Sequence, residues 1–205
     1  NVQKTVNGHD CWDTEHLWNS ILEGLKVCKA LGKIPKSVGI DTWGVDFVLV
    51  TEDGQVIGDP VAYRDERTAG MDVEVEKTIS FRQLYGRTGI QKASFNTIYQ
   101  LMALKKEHPE QLQQADRLLF TPDYYNYKLT GIMANEYTIA STSGLLRAED
   151  KTWDLELIGM LGLPEKIFRP LAMPGTVLGG FTREVQDMVG FNAQVVLPAT
   201  HDTGS

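Results

Sequence analysis

The chain has 205 residues, 42% of them hydrophobic and 23% charged, the mixture of a globular protein with apolar material for a sizeable core. Its net charge of −7 argues against a nucleic-acid partner, which needs clustered lysine and arginine. No run is long and apolar enough to span a membrane, and no signal peptide opens the chain, so no membrane partner is expected.

Residue 1 is Asn rather than Met, which predicts a processed or excised piece. Asp13 is placed to cap a helix over residues 14–30, with Leu17, Ile21, Leu25 and Cys28 on one face and Gly32 as its stop. Val38 and Ile40 then start a strand, and residues 45–50 are a second apolar run. The turn signal EDGQ follows at 52–55, so this stretch predicts a hairpin or meander entering a sheet. Residues 65–79 are charged and periodic and predict a helix; a short one lies within FRQLYGRTGI, and another spans 97–107. Pro109 opens a further short helix. RLLFTPDYYNYKLTG reads as a buried strand and then a helix starting at Pro122 and closed by Gly131. Residues 137–144, rich in Thr, Ser and Ala, suit a closely packed helix or turn. DLELIGMLGL predicts a helix, TVLGGFTREVQDMVGF a strand, turn and helix, and QVVLPA a last strand. Helices interleaved with short strands mean an α/β fold.

Cys11 and Cys28 form no C-x-x-C motif, and His9, His16, His108 and His201 are scattered. Neither a disulfide framework nor structural zinc is expected, and a reducing cytosol fits. Three stretches concentrate chemistry. GIDTWGVD, residues 39–46, breaks an apolar strand with Asp41, Thr42, Trp43 and Gly44. Ligands collect at the carboxyl ends of strands, and a flat indole beside a glycine suits a sugar; a β-bulge glycine with Trp43 in the core is the competing reading. YRDERT, residues 63–68, is either a helix start capped by Asp65 with solvated or paired arginines, or an arginine held near a polyol or anion. HDTGS, residues 201–205, follows a strand directly, so Asp202 either acts as a general base or caps a following helix. Asn96 and Thr97 carry N-cap chemistry, and the tyrosines of TPDYYNYKLTG read as a helix face.

In order and spacing, GIDTWGVDFVLV, PVAYRDERT, FNTIYQL, TPDYYNYKLTG, NEYTIAST and THDTGS resemble the FGGY family of carbohydrate kinases, from about residue 12 to residue 205. The nearest likeness is to members that phosphorylate L-rhamnulose. The resemblance implies an actin-like, ribonuclease-H-like domain, a mixed sheet flanked by helices and incomplete at both ends. Residues 1–205 would be the N-terminal, sugar-binding domain, without the family's first strand and glycine-rich phosphate turn and without its second domain. It also implies ATP and Mg²⁺ in the intact protein, and transfer of the γ-phosphoryl group to the 1-hydroxyl of L-rhamnulose. Asp202 carries over as the base, His201, Thr203 and Gly44 as sugar contacts, and Thr42, Trp43 and Asn96 as lining of the same pocket. The nucleotide-binding residues and any metal ligands are expected outside this chain, which alone would be inactive. Kinases of L-fuculose or L-xylulose, and a non-catalytic sugar-binding relative, are the alternatives. A missing first strand would leave a sheet edge open to self-association.

Overall fold

The computed structural model describes residues 3–205. It opens with a hairpin that the sequence reading did not anticipate, β1 (Gln3–Val6) and β2 (His9–Trp12). Asn7 and Gly8 turn it with positive φ of 51° and 89°, the backbone that an Asn-Gly pair favours in two-residue hairpins. Helix α1 spans Thr14–Ala30, and the Asp13 side chain accepts the His16 N–H as its cap. The inward face is Trp18, Leu22 and Leu25; the expected face is rotated, with Leu17 and Ile21 at its margin. Each fully buried side chain of this size is worth roughly 1.5–3 kcal/mol over exposure.

Strand β3 (Ser37–Val38) and strand β4 (Phe47–Val50) belong to different sheets, so the expected meander is confined to its second half. There β4 pairs antiparallel with β5 (Val56–Ile57) across the 51–55 turn. The apolar run becomes strand only at Phe47, because Val45 has a φ of 69°. The helix expected over 65–79 is broken. Glu66–Thr68 form a 3₁₀ turn, Gly70 takes a φ of 76°, and α2 covers only Met71–Glu76. The next helices are α3 (Phe81–Thr88), α4 (Thr97–Glu107) and α5 (Pro109–Gln114). Strand β6 (Arg117–Phe120) pairs antiparallel with β4, and α6 (Thr121–Thr130) ends at Gly131.

Alternation along β4 and β6 divides the interior. Phe47, Leu49, Leu118 and Phe120 face a core built from α2 to α5 and later helices. Val48, Val50 and Leu119 face a second core with α1 and α6. A sheet covered by helices on both faces carries unbroken apolar runs, as FVLV of β4 and the LLF of β6 after Arg117 do.

The rest of the chain gives β7 (Asn135–Glu136), α7 (Tyr137–Ser141), β8 (Leu146–Arg147), β9 (Thr152–Trp153) and α8 (Leu155–Met160). After β10 (Leu171–Ala172), β11 (Val177–Gly180) and α9 (Arg183–Val189), the last strand is β12 (Gln194–Val196). Strand β12 lies between antiparallel β11 and parallel β3, which makes the mixed sheet. The parallel pair sends the chain out of the same sheet end at residues 39–44 and again at 197–202. No helix among the described residues is long and apolar enough to cross a membrane.

Candidate sugar-binding cleft

Beyond strands β3 and β12 the two emerging segments stay paired. Thr42 bridges His201 in parallel register: the Thr42 N–H donates to Thr200 O at 3.0 Å, and the Asp202 N–H donates to Thr42 O at 2.9 Å. The D-T-W-G and H-D-T segments therefore meet at one strand end, beside a cleft of about 410 Å³. Trp43, Gly44, Asn96, His201, Asp202 and Thr203 line it; of the residues expected there, only Thr42 does not, since it serves as the backbone clasp.

Asp202 starts a 3₁₀ turn over Asp202–Gly204, which no side chain caps. Its side chain is 54% exposed, and its Oδ1 lies 3.8 Å from His201 Nε2. Gly44 is explained by close approach. A Cβ there would stand 3.0 Å from Thr142 Cγ2 and 3.2 Å from His201 Nε2. Asn96 precedes α4 without capping it; its Oδ1 accepts the Ala93 N–H, and its Nδ2 donates to Thr142 O.

One wall of the cleft is aromatic. Trp43 packs on Trp12 with ring centroids 4.2 Å apart, and Tyr63 meets Phe95 edge-on at 5.8 Å. Trp43 is half-buried; it lines the cleft and packs on Trp12, and neither core cluster includes it. Arg64 lies over the Tyr63 ring and donates from Nε to its hydroxyl at 3.0 Å. Asp65 caps the Arg67 N–H, as the plainer reading of YRDERT has it, while Arg67 itself turns inward to Gln100 Oε1.

One buried carboxylate organises that wall. Asp46 Oδ2 accepts from Trp12 Nε1 at 2.6 Å, Trp43 Nε1 at 2.9 Å and the Tyr63 N–H at 3.2 Å, and Oδ1 accepts from Gln100 Nε2 at 3.0 Å. Burial pushes its carboxyl above the usual range despite these donors. Val45 before it holds a backbone that a β-branched residue rarely adopts. Its N–H donates to the Thr142 hydroxyl, and its carbonyl accepts from Thr97 and Gln100.

The sequence reading missed Tyr63, Arg64, Ile90, Phe95 and Thr142 as lining, and gave Asp46 and Glu136 no role. Tyr63 and Arg64 sat in a stretch already singled out, and an aromatic–arginine pair after a strand was the available signal. Glu136 had a local signal too, an acid directly before the small-residue run it caps.

Known proteins share this fold. The family model for the N-terminal domain of FGGY carbohydrate kinases matches residues 1–205. This chain belongs to the FGGY family. The chain is 48% identical, over 97% of its length, to a protein of Halalkalibacterium halodurans named rhamnulokinase. It is 44% identical, over 98%, to a rhamnulokinase of Bacteroides thetaiotaomicron. It spans 43% and 41% of those two relatives. The fold is that of FGGY sugar kinases, actin-like and ribonuclease-H-like. Ligand-bound xylulose kinase from Lactobacillus acidophilus superposes with a TM-score of 0.84 at 20% identity, over 97% of this chain and 41% of that one. Plasmodium falciparum glycerol kinase with ADP gives 0.74 at 18%, over 95% and 42%. The α/β class and family expected from the motifs are thus borne out.

Proposed function

We propose that the chain is the sugar-binding domain of a two-domain cytoplasmic kinase that phosphorylates a ketose, L-rhamnulose first, at its 1-hydroxyl. The observation that carries this reading is the Thr42–His201 bridge, which sets an exposed carboxylate, Asp202, in one cleft with Trp43 and Tyr63. An indole face and nearby polar groups suit a sugar, whose rings are apolar on the flat and hydroxylated at the edge. The rhamnulokinases named above support L-rhamnulose over other ketoses.

In this mechanism Asp202 accepts a hydrogen bond from the reacting hydroxyl and takes its proton as the oxygen attacks. His201 Nε2 and Thr203, beside it, orient the same end of the sugar. Trp43 and Tyr63 fix the ring plane. Positioning of this kind supplies much of the catalysis in phosphoryl transfer, where the transition state is loose. The phosphoryl donor is magnesium ATP. The described residues contain no cluster of three or more His, Cys, Asp or Glu suited to a metal, and the cleft carries only Arg64 as a full cation.

The test is ADP release by the full-length protein with MgATP and, in turn, L-rhamnulose, L-fuculose, L-xylulose and glycerol, beside an Asp202→Asn variant. Turnover that favours L-rhamnulose and collapses in the variant supports both reaction and base. Preference for another sugar moves the substrate. A folded protein that binds sugar but turns over none of them is the non-catalytic relative.

A further inference from the structure

We propose that Glu136 is a positioning residue for the reaction, holding Asp202 and His201 in place through Thr200 and Thr138. The proposal rests on the kinase reading above. Glu136 is fully buried and accepts five hydrogen bonds. Two come from the first N–H groups of α7, those of Thr138 at 2.8 Å and Ile139 at 3.2 Å. A third is the Thr138 hydroxyl. The other two come from across the molecule: the Thr200 N–H at 3.1 Å and the Thr200 hydroxyl at 2.7 Å. A carboxylate used only to cap a five-residue helix would need the first set alone.

The second set reaches the segment that leads into Asp202. Thr200 is fully buried and precedes His201, and the His201 N–H donates to the Thr138 hydroxyl oxygen at 3.3 Å. Two successive N–H groups leading into Asp202 thus trace back to Glu136. On the other side Thr42 clasps Thr200 O and the Asp202 N–H. The segment is gripped from both sides, while the Asp202 carboxylate stays exposed.

Helix α7 carries the grip further. Beyond its far end the Thr142 hydroxyl accepts the Val45 N–H and donates to Ile139 O, and the Thr142 carbonyl accepts from Asn96. Glu136 and Thr142 therefore stand at opposite ends of one strut, with the base segment at one end and the Trp43–Gly44 loop at the other. A displacement of about 1 Å at a reacting group costs on the order of a hundredfold in rate, so the strut bears on turnover more than on sugar affinity.

The experiment is a double-mutant cycle in the full-length protein, crossing Glu136→Gln and Thr200→Val with Asp202→Asn, beside Leu22→Ala as a destabilised control in the second core. Glutamine keeps the size of Glu136 but turns an amide N–H toward one of the donors; valine removes the Thr200 hydroxyl alone. We expect each single variant to lower kcat about ten- to a hundredfold with KM for the sugar within about twofold. In the Asp202→Asn background the same changes should cost less than about threefold further, because they act through that aspartate. Leu22→Ala should lose melting temperature and keep the kcat of its folded fraction. Three results overturn the proposal alone: an active wild type whose variants keep kcat, variants that raise only KM, or effects that multiply in full on the Asp202→Asn background. A wild type without turnover on any ketose overturns both this and the kinase reading.

Discussion

The two sides of the cleft are each held by a buried acid, but they are held differently. The aromatic wall hangs on Asp46, whose four donors are mostly side chains that themselves face the cleft or the ring behind it. The base side hangs on Glu136, whose five donors are backbone and hydroxyl groups one residue or more from the cleft. On the kinase reading the wall is held at groups that would touch the sugar, whereas the other side is held behind Asp202, whose carboxylate stays exposed. A surface that reads shape gains from rigid side chains, whereas a carboxylate that must take a proton needs its oxygens free.

Four measurements break or sharpen that contrast. The largest effect belongs to Asp202→Asn, expected to lower kcat of the full-length protein about 10²–10⁴-fold while sugar binding persists, as read by Trp fluorescence titration. Loss of binding instead would put Asp202 on the same footing as the wall.

Asp46→Ala comes next, leaving the indole N–H groups of Trp12 and Trp43 without their acceptor. A loss of about 2–4 kcal/mol in urea-derived stability is expected, with a rise in sugar KM larger than any fall in kcat. A fall in kcat at constant KM would mean that the wall, too, works on the chemistry.

Gly44→Ala probes the seam between the two sides, where the new methyl must push on Thr142 or His201. A cost of about 1 kcal/mol in sugar affinity, roughly fivefold in Kd, is expected by calorimetry. Unchanged affinity would show that the seam can give.

The smallest effect is one of pH. Asp123, which accepts the Glu136 N–H at 3.2 Å, has its carboxyl pushed well above the usual range by burial, with the neighbouring Glu136 adding to it. A carboxyl whose folded value is raised contributes stability that is present at low pH and lost as pH climbs through that value. Asp123→Asn removes this dependence, so its urea midpoint should gain on the wild type as pH climbs above the ordinary aspartate value of 3.8. A constant gap would contradict the shift.

Much of this was legible along the chain, and where it was not the reason is physical. Helix α4 has the expected bounds because an apolar face at helical spacing runs from Thr97 until the charged end at Glu107. Helix α6 is bounded by Pro122 near its start and by Gly131, which has a φ of 73°. The first hairpin was missed although Asn7–Gly8 announces its turn, since its polar strands carry no hydrophobic alternation. The helix expected over 65–79 failed at Ala69–Gly70, where chain reversal outweighs the charge pattern on either side. In the cleft, the motifs at strand ends, Trp43–Gly44 and His201–Asp202, stood out because polar groups after an apolar run are locally conspicuous. Asp46 and Glu136 did not. Their importance lies in donors that arrive from distant parts of the chain, Gln100 and Tyr63 for one and Thr200 for the other.

The Thr42–His201 bridge joins residues from nearly opposite ends of the sequence. Closing so long a loop is slow and entropically unfavourable, so this contact forms only after most of the chain has found its place. On the proposed reading, a sugar bound in this cleft favours the fold in which the two segments are paired. At a hundred times its dissociation constant it would add about 2.7 kcal/mol to the stability of the chain, linking substrate supply to the lifetime of the folded protein.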